Sequence, residues 1–470
     1  MFRSLLEWIR KQVAKIIPTQ TVEEKLKTKV EISDIMIENI ELWGLMYQNE
    51  APWLGNDNIK SLNIAASVAS EMARLVTIEM ISDITGGETN NERSEYLNER
   101  YQRVIDSLRV ETEYAVAKGG MIFKPYIDKN DNIAIEYVQA DEFYPVEFNS
   151  SGDLIAAIFP EIITKDKTTY TRLEYHHMLK DNKCYISNQA YVKAVGTEGI
   201  GVPITLQSVE EWEALEDEIN LENIAEPLFS YFKMPLANNK DTKSKLGVSV
   251  YSKATDIIKE VDAHWSSILW EYRGTELAID VPVDMFMNRE LPEGKERLFR
   301  QLDIDDGNKT NSFYKVFSPE IRDVSLFNGL SKLLERVEFN CGLAYGTLSD
   351  LEVTSKTATE IRTSKQRSYA TIVDIQKALR ISLEHLIRSM DTLADFYNIT
   401  PKGEYEVSFD FDDSIVIDSQ AEQAIMIAEV AAQLIRPEYY LMKRYGVTEE
   451  QALEMLPEMA TPQTTFDEWE

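Results

Sequence analysis

The sequence predicts an α+β fold, mainly helical, that runs helices, strands, helices. Apolar residues recur every three or four positions from about 33 to 118 and again from about 250 to 397. Between these blocks, from Met121 to about Val192, apolar and polar residues alternate, the period of half-buried strands. The length of 470 residues with 44% hydrophobic side chains allows about three domains with buried cores and excludes a wholly disordered chain.

The elements follow in order. Residues 1–17 place Phe2, Leu5, Leu6, Ile9, Val13 and Ile16 at helical spacing, opposite Arg3, Arg10, Lys11 and Lys15. A basic amphipathic helix of this kind lies on a membrane or docks on acidic protein surface, and the acidity of the rest of the chain favours docking. Glu7, Arg10 and Lys11 interrupt any signal-peptide core. Helices are expected over 33–48, over 59–84 with a stripe that includes Ala65, Val68, Met72, Val76 and Ile81, and from Glu92 to Lys118, where Gly119 and Gly120 stop the last. About six antiparallel strands follow, with turn signals at 129–132, 150–152 and 181–182. Residues 208–226 carry eight acids and no Lys or Arg, which reads as a solvated helix and linker. From Val250 a helix of about 21 residues returns, then a short mixed insertion over 274–325, then a second helix over 326–347 and a longer one over about 357–397. Strands are expected near 405–409 and 414–417, and helices near 419–435 and 437–456.

Composition narrows function. Lys plus Arg total 49 against 80 Asp plus Glu, a net charge of −31. Such a chain does not coat nucleic acid by counterion release, nor bind anionic membranes as its main partner. No apolar run is long enough to cross a membrane. Two cysteines, Cys184 and Cys341, build neither a disulfide framework nor a multi-cysteine zinc site. No phosphate-binding G-x-x-x-x-G-K-[ST], dinucleotide G-x-G-x-x-G, G-x-S-x-G or H-E-x-x-H is present, so no cofactor is expected. His176 and His177 are strand neighbours pointing to opposite faces, and His264 and His385 each sit alone on a helix; all four read as structural. Asp410, Asp412 and Asp413 are the best acid cluster. They would suit a hard divalent cation, but equally mark a strand end facing water. Residues 354–388 hold seven basic residues (Lys356, Arg362, Lys365, Arg367, Lys377, Arg380, Arg388) against three acids. From Gly403 to Ile435 there are eight acids and no base. Either the basic helix is neutralised by acidic neighbours or it lines a basic ring within a negative assembly.

Five stretches, AKGGMIFKPYI (117–127), ADEFYPVEFNSSGDL (140–154), FKMPLANN (232–239), KLGVSVYSKATDIIKEVD (245–262) and VTSKTATEI (353–361), resemble the portal proteins of tailed bacteriophages. The branch is that common in siphophages of Gram-positive hosts, and the order and spacing of the stretches match as well. The resemblance implies a portal fold whose copies form a ring of about twelve around a channel for double-stranded DNA, at one capsid vertex of the virion. It would assemble in the host cytoplasm. It implies a wing over 1–249, a first stem helix over 250–273, a clip over 274–325, a second stem helix over 326–348, a tunnel loop over 349–357, a long wing-to-crown helix over 358–400, and a crown over 401–470. Thr354, Ser355, Lys356 and Thr357 then face DNA, with Arg362 and Lys365 as further basic channel residues. Ser355 and Thr357 are equally N-caps of the following helix, with Glu360 completing a capping box, and the two roles are compatible. Ile257, Ile258, Val261, Ile268, Leu330, Leu333 and Val337 would pack the stem. The implied partners are other copies of the chain, the large terminase subunit, a head-completion adaptor, and the major capsid and scaffolding proteins; no membrane and no metal are implied. Two other readings compete: an acidic cytosolic scaffold without a DNA role, and a metal-dependent hydrolase built on Asp410, Asp412 and Asp413.

Overall fold

A computed structural model describes residues 17–55, 59–78, 80–87, 91–194, 199–275, 278–282, 299–302, 315–317, 320–349, 358–411, 426–432, 434–445 and 448–456. Residues up to Asp410 form one unit and Phe411–Glu470 a second.

The first unit begins with α1 (Thr19–Leu26), α2 (Asp34–Tyr47) and α3 (Ile64–Thr77). Ser33 caps α2, its hydroxyl accepting from the Met36 amide and donating to Asp241. The helix expected over 59–84 ends at Thr77. Residues Met80–Gly86 form a strand, β1, paired with β14 (Tyr405–Phe411) more than three hundred residues away. Ile81, assigned to the helical stripe, is 63% exposed on that strand. The Ser82 hydroxyl donates to the Ser408 carbonyl. A long-range pairing overrides local periodicity here.

α4 (Glu92–Lys118) ends at Gly119, as its glycines require. The strands that follow are β2 (Gly120–Ile127), β3 (Ile133–Gln139), β4 (Tyr144–Phe148), β5 (Leu154–Lys165), β6 (Thr168–Leu179) and β7 (Lys183–Ala194). They are split between two sheets. β2 and β3 pair antiparallel and take β10 (Ser230–Lys233) on the other edge. β4 to β7 form a meander, and β8 (Val202–Ile204) and β9 (Glu218–Glu222) share the outer edge of β7. The acidic stretch 208–226 is therefore no free helix. It makes short 3-10 turns and a strand, pinned where buried Trp212 donates to Glu161.

The two sheets are joined by buried charge. Lys124 on β2 donates to Glu136 at 2.8 Å and to Glu174 on β6 at 2.9 Å, and Arg172 and His176 also reach Glu174. Burial alone would raise the Glu174 carboxyl, but Lys124, the hydrogen bond from His176 and Arg172 hold it well below its ordinary range.

α5 (Thr255–Gly274) and α6 (Asp323–Cys341) pack together and flank the insertion. Its described strands β11 (Ala278–Pro282), β12 (Phe299–Leu302) and β13 (Lys315–Phe317) form a small mixed sheet, with β11 central, parallel to β12 and antiparallel to β13. α6 stops six residues before the expected 347, because Gly342 takes a left-handed φ of 74° and ends the helix. α7 (Ala358–Phe396) is 39 residues, about 60 Å, and packs on β2 and β10. In the second unit, residues 426–431 are helical, and α8 (Pro437–Tyr445) packs with α9 (Glu449–Glu454), which Thr448 and Gln451 cap as a capping box. The strand expected at 414–417 lies outside the described residues.

Candidate functional site: the paired helices and the junction after them

Four of the five stretches that carry the resemblance meet at the end of α4. Lys118 donates to both carboxylate oxygens of Asp141 at 2.7 and 2.6 Å. The Gly119 carbonyl accepts from the Met234 amide, and the Val116 carbonyl from the Val250 amide. Gly119 has φ 97°, and a Cβ there would sit 2.8 Å from the Gly247 carbonyl oxygen, so backbone lies directly on backbone. These motifs are thus a hub that fixes where α5 begins. Asp262 completes the anchorage, almost fully buried and accepting from the Trp53 indole at 2.9 Å and the Leu62 amide at 3.0 Å.

From that hub α5 and α6 run as a pair. Ile258, Val261, Ile268, Leu330 and Val337 are buried, while Ile257 and Leu333 are half-buried. His264 donates through Nε2 to the Leu326 carbonyl at 2.8 Å, a structural role. At the insertion end the Arg322 guanidinium grips Glu271 side-on. The same end exposes apolar surface. Trp270 is 70% and Val324 71% exposed, and Tyr272 and Phe327, whose rings lie 6.5 Å apart, are also exposed.

Beyond α6, residues 343–349 fold back on its last turn. Glu338, fully buried, accepts from the amides of Leu348 (2.6 Å) and Ser349 (2.8 Å) and from the Ser349 hydroxyl. Burial first, and then the neighbouring Glu338 charge, pushes the Cys341 thiol upward, so it stays protonated and inert. From α7, Arg367 donates to the Leu343 carbonyl and lies over the rings of Phe339 (4.5 Å) and Tyr345 (5.2 Å).

Thr354, Ser355, Lys356 and Thr357 lie outside the described residues, as do Asp412 and Asp413. Arg362 is in the first turns of α7, and Lys365 is exposed one turn on. The basic run is not one surface. Arg380 pairs with Glu384, Arg388 with Glu226, and Arg367 is turned inward. Asp410 is exposed on β14, and no group of His, Cys, Asp or Glu among the described residues is placed to hold a metal ion. Also among them, no helix is long and apolar enough to cross a membrane. Glu338 and the Glu271–Arg322 pair escape sequence reading, and Arg367 is read only as one member of a basic run, because nothing local separates them from surface charges on an amphipathic helix.

No curated protein matches the chain. Residues 25–463 match the family described as phage portal protein, SPP1 Gp6-like, which takes in both units almost entirely. The chain belongs to that phage portal protein family.

Proposed function

We propose that about twelve copies form a ring at one capsid vertex, around a channel through which double-stranded DNA is packaged and later ejected. The observation that carries the reading is the collar of Trp270, Tyr272, Val324 and Phe327 on the paired helices. These side chains are uncovered in a single chain and would be available to the helix pair of a neighbouring copy. A ring multiplies a charge of −31 per chain, so its wall repels phosphate on average and lets DNA slide, and the loop around Lys356 supplies sparse, sequence-blind contacts with Arg362 and Lys365 behind it.

On this reading the hub region to about 249 is the wing and α5 and α6 are the stem. The insertion over 274–325 is the clip, which takes the large terminase subunit and afterwards a head-completion adaptor. α7 crosses from wing to crown, the second unit is the crown, and capsid and scaffolding proteins meet the periphery. The chain itself catalyses nothing, and ATP hydrolysis belongs to the motor.

Native mass spectrometry with end-on electron microscopy tests the reading: a mass near twelve chains of 53.9 kDa with a central hole is expected. Lys356→Glu should leave the ring intact and lower packaged DNA. A stable dimer without a hole would return the chain to the acidic-scaffold reading.

A further inference from the structure

We infer that Glu338 and Arg367 are positioning residues for DNA passage: they clamp residues 343–349 into a rigid bracket that sets how the chain leaves Ser349. The inference rests on the proposed portal reading, in which the segment after Ser349 faces DNA.

The bracket is built from both sides. On the α6 side one buried carboxylate gathers three donors, the Leu348 and Ser349 amides and the Ser349 hydroxyl. Charge-assisted bonds of 2.6–2.8 Å to a carboxylate with no exposure to water are strong and geometrically demanding. Within the turn, the Thr347 hydroxyl donates to the Ala344 carbonyl at 2.6 Å, the Gly346 amide donates to the Ser349 hydroxyl, and the Leu343 amide closes onto the Glu338 carbonyl. On the α7 side, Arg367 donates to the Leu343 carbonyl and lies against the rings of Phe339 from α6 and Tyr345 from the turn. A Cβ at Gly342 would lie 2.6 Å from the Thr371 hydroxyl, so α7 also presses on the turn where it leaves α6.

This is more than a hydrophobic junction requires. α6 is already ended by Gly342, and α5 and α6 already bury an apolar seam. A buried carboxylate is a costly way to add stability, but a good way to specify one geometry. The exit from Ser349 is therefore carried by α6 and α7 together, and a shift of either helix moves it as a body.

The test uses the full-length chain, assembled, with three variants. Glu338→Gln keeps the shape and removes the charge. Ser349→Ala removes one donor and leaves the carboxylate. Lys356→Glu addresses the channel reading alone. Ring mass, melting temperature, amide hydrogen exchange over 343–349 and DNA content of filled heads are read for each. The expected result is unchanged ring mass and melting for Glu338→Gln, about tenfold faster exchange at Leu348 and Ser349, and fewer filled heads, with Ser349→Ala intermediate. Fast exchange with normal filling would overturn the positioning role, and so would unchanged exchange. Failure of both bracket variants to assemble would overturn it too, because the bracket would then be a folding element. A wild-type chain that forms no ring fails the portal reading itself, an outcome visible before any variant is compared.

Discussion

Glu271 and Arg322 meet side-on where the chain leaves α5 and returns to α6, with Nε donating to Oε1 at 2.9 Å and Nη2 to Oε2 at 2.7 Å. The pair closes the neck of the insertion with a planar, two-point contact that a lysine could not reproduce. The guanidinium holds the Glu271 carboxyl below its ordinary value. A carboxyl with a depressed folded pKa contributes above its unfolded pKa, and the contribution is lost as pH falls through the folded value. The neck should therefore loosen in acid, below the usual carboxylate range, and Arg322→Ala should loosen it at neutral pH. Limited proteolysis should show faster cleavage between 274 and 322 in Arg322→Ala while α5–α6 packing persists. Equal cleavage rates at neutral pH would show that the strands alone hold the neck.

Val261 and Leu333 separate folding from assembly. Val261 is fully buried between elements of one chain, so Val261→Asp buries an unpaired charge and should cost about 3 kcal/mol or more. Leu333 is only half-buried in the chain. Leu333→Asp should leave a folded protein by circular dichroism and reduce ring formation in native mass spectrometry. A Leu333→Asp chain that assembles normally would place the copy-to-copy seam elsewhere on the helix pair.

Legibility in the sequence follows the range of the contacts. α4 and its Gly119 stop, the pair of helices flanking a mixed insertion, and the long α7 all rest on periodicity and nearby breakers, and except for the C-terminal end of α6 their expected limits fall close to the observed ones. β1 does not, because its partner β14 lies across most of the chain and Ile81 looks helical until that pairing is known. Residues 208–226 read as solvated because eight acids dilute their apolar side chains, and the burial of Val209, Trp212 and Leu221 and the grip of Trp212 on Glu161 depend on the sheet being present. The bracket fails for a further reason. Glu338 and Arg367 look like ordinary helix-surface charges, and only the fold-back of 343–349 turns them inward.

Arg93 ties the first helical layer to the end of α7. It is 1% exposed and donates to the side chains of Asp391 and Asp395 and to the carbonyls of Asp391, Thr400 and Pro401. Its removal leaves Asp391 without its cation and three carbonyls without their donor, while Asp395 keeps Lys402 at 2.7 Å. Arg93→Ala should cost about 2–3 kcal/mol, less than deletion from a fully buried ion pair, because both carboxylates reach solvent and Asp395 keeps Lys402. Urea denaturation checks this, and Arg93→Lys should recover only part, since an ammonium cannot span two carboxylates and three carbonyls at once. A loss below about 1 kcal/mol would mean the site rehydrates.

Glu41 on α2 gives the pH dependence of the first unit an opposite sign. One of its carboxyl oxygens is buried without a hydrogen-bond partner. Burial, followed by the Asp141 and Glu38 carboxylates, raises its pKa to about 7. The nearby Lys118 ammonium is already committed to Asp141, and the buried Tyr144 hydroxyl donates to the Ile17 carbonyl, so neither relieves it. Between about pH 4.5 and 7 the folded chain holds a proton that the unfolded chain releases, so this group's contribution to stability falls as pH rises through that window and is flat above it. Glu41→Gln removes the slope and should stabilise the protein at pH 8 by on the order of 1–2 kcal/mol, after allowance for solvent screening. Denaturation midpoints at pH 5 and pH 8 decide it: the wild type should lose stability between the two relative to Glu41→Gln, and parallel midpoints would mean that Glu41 is ionised in the fold at both.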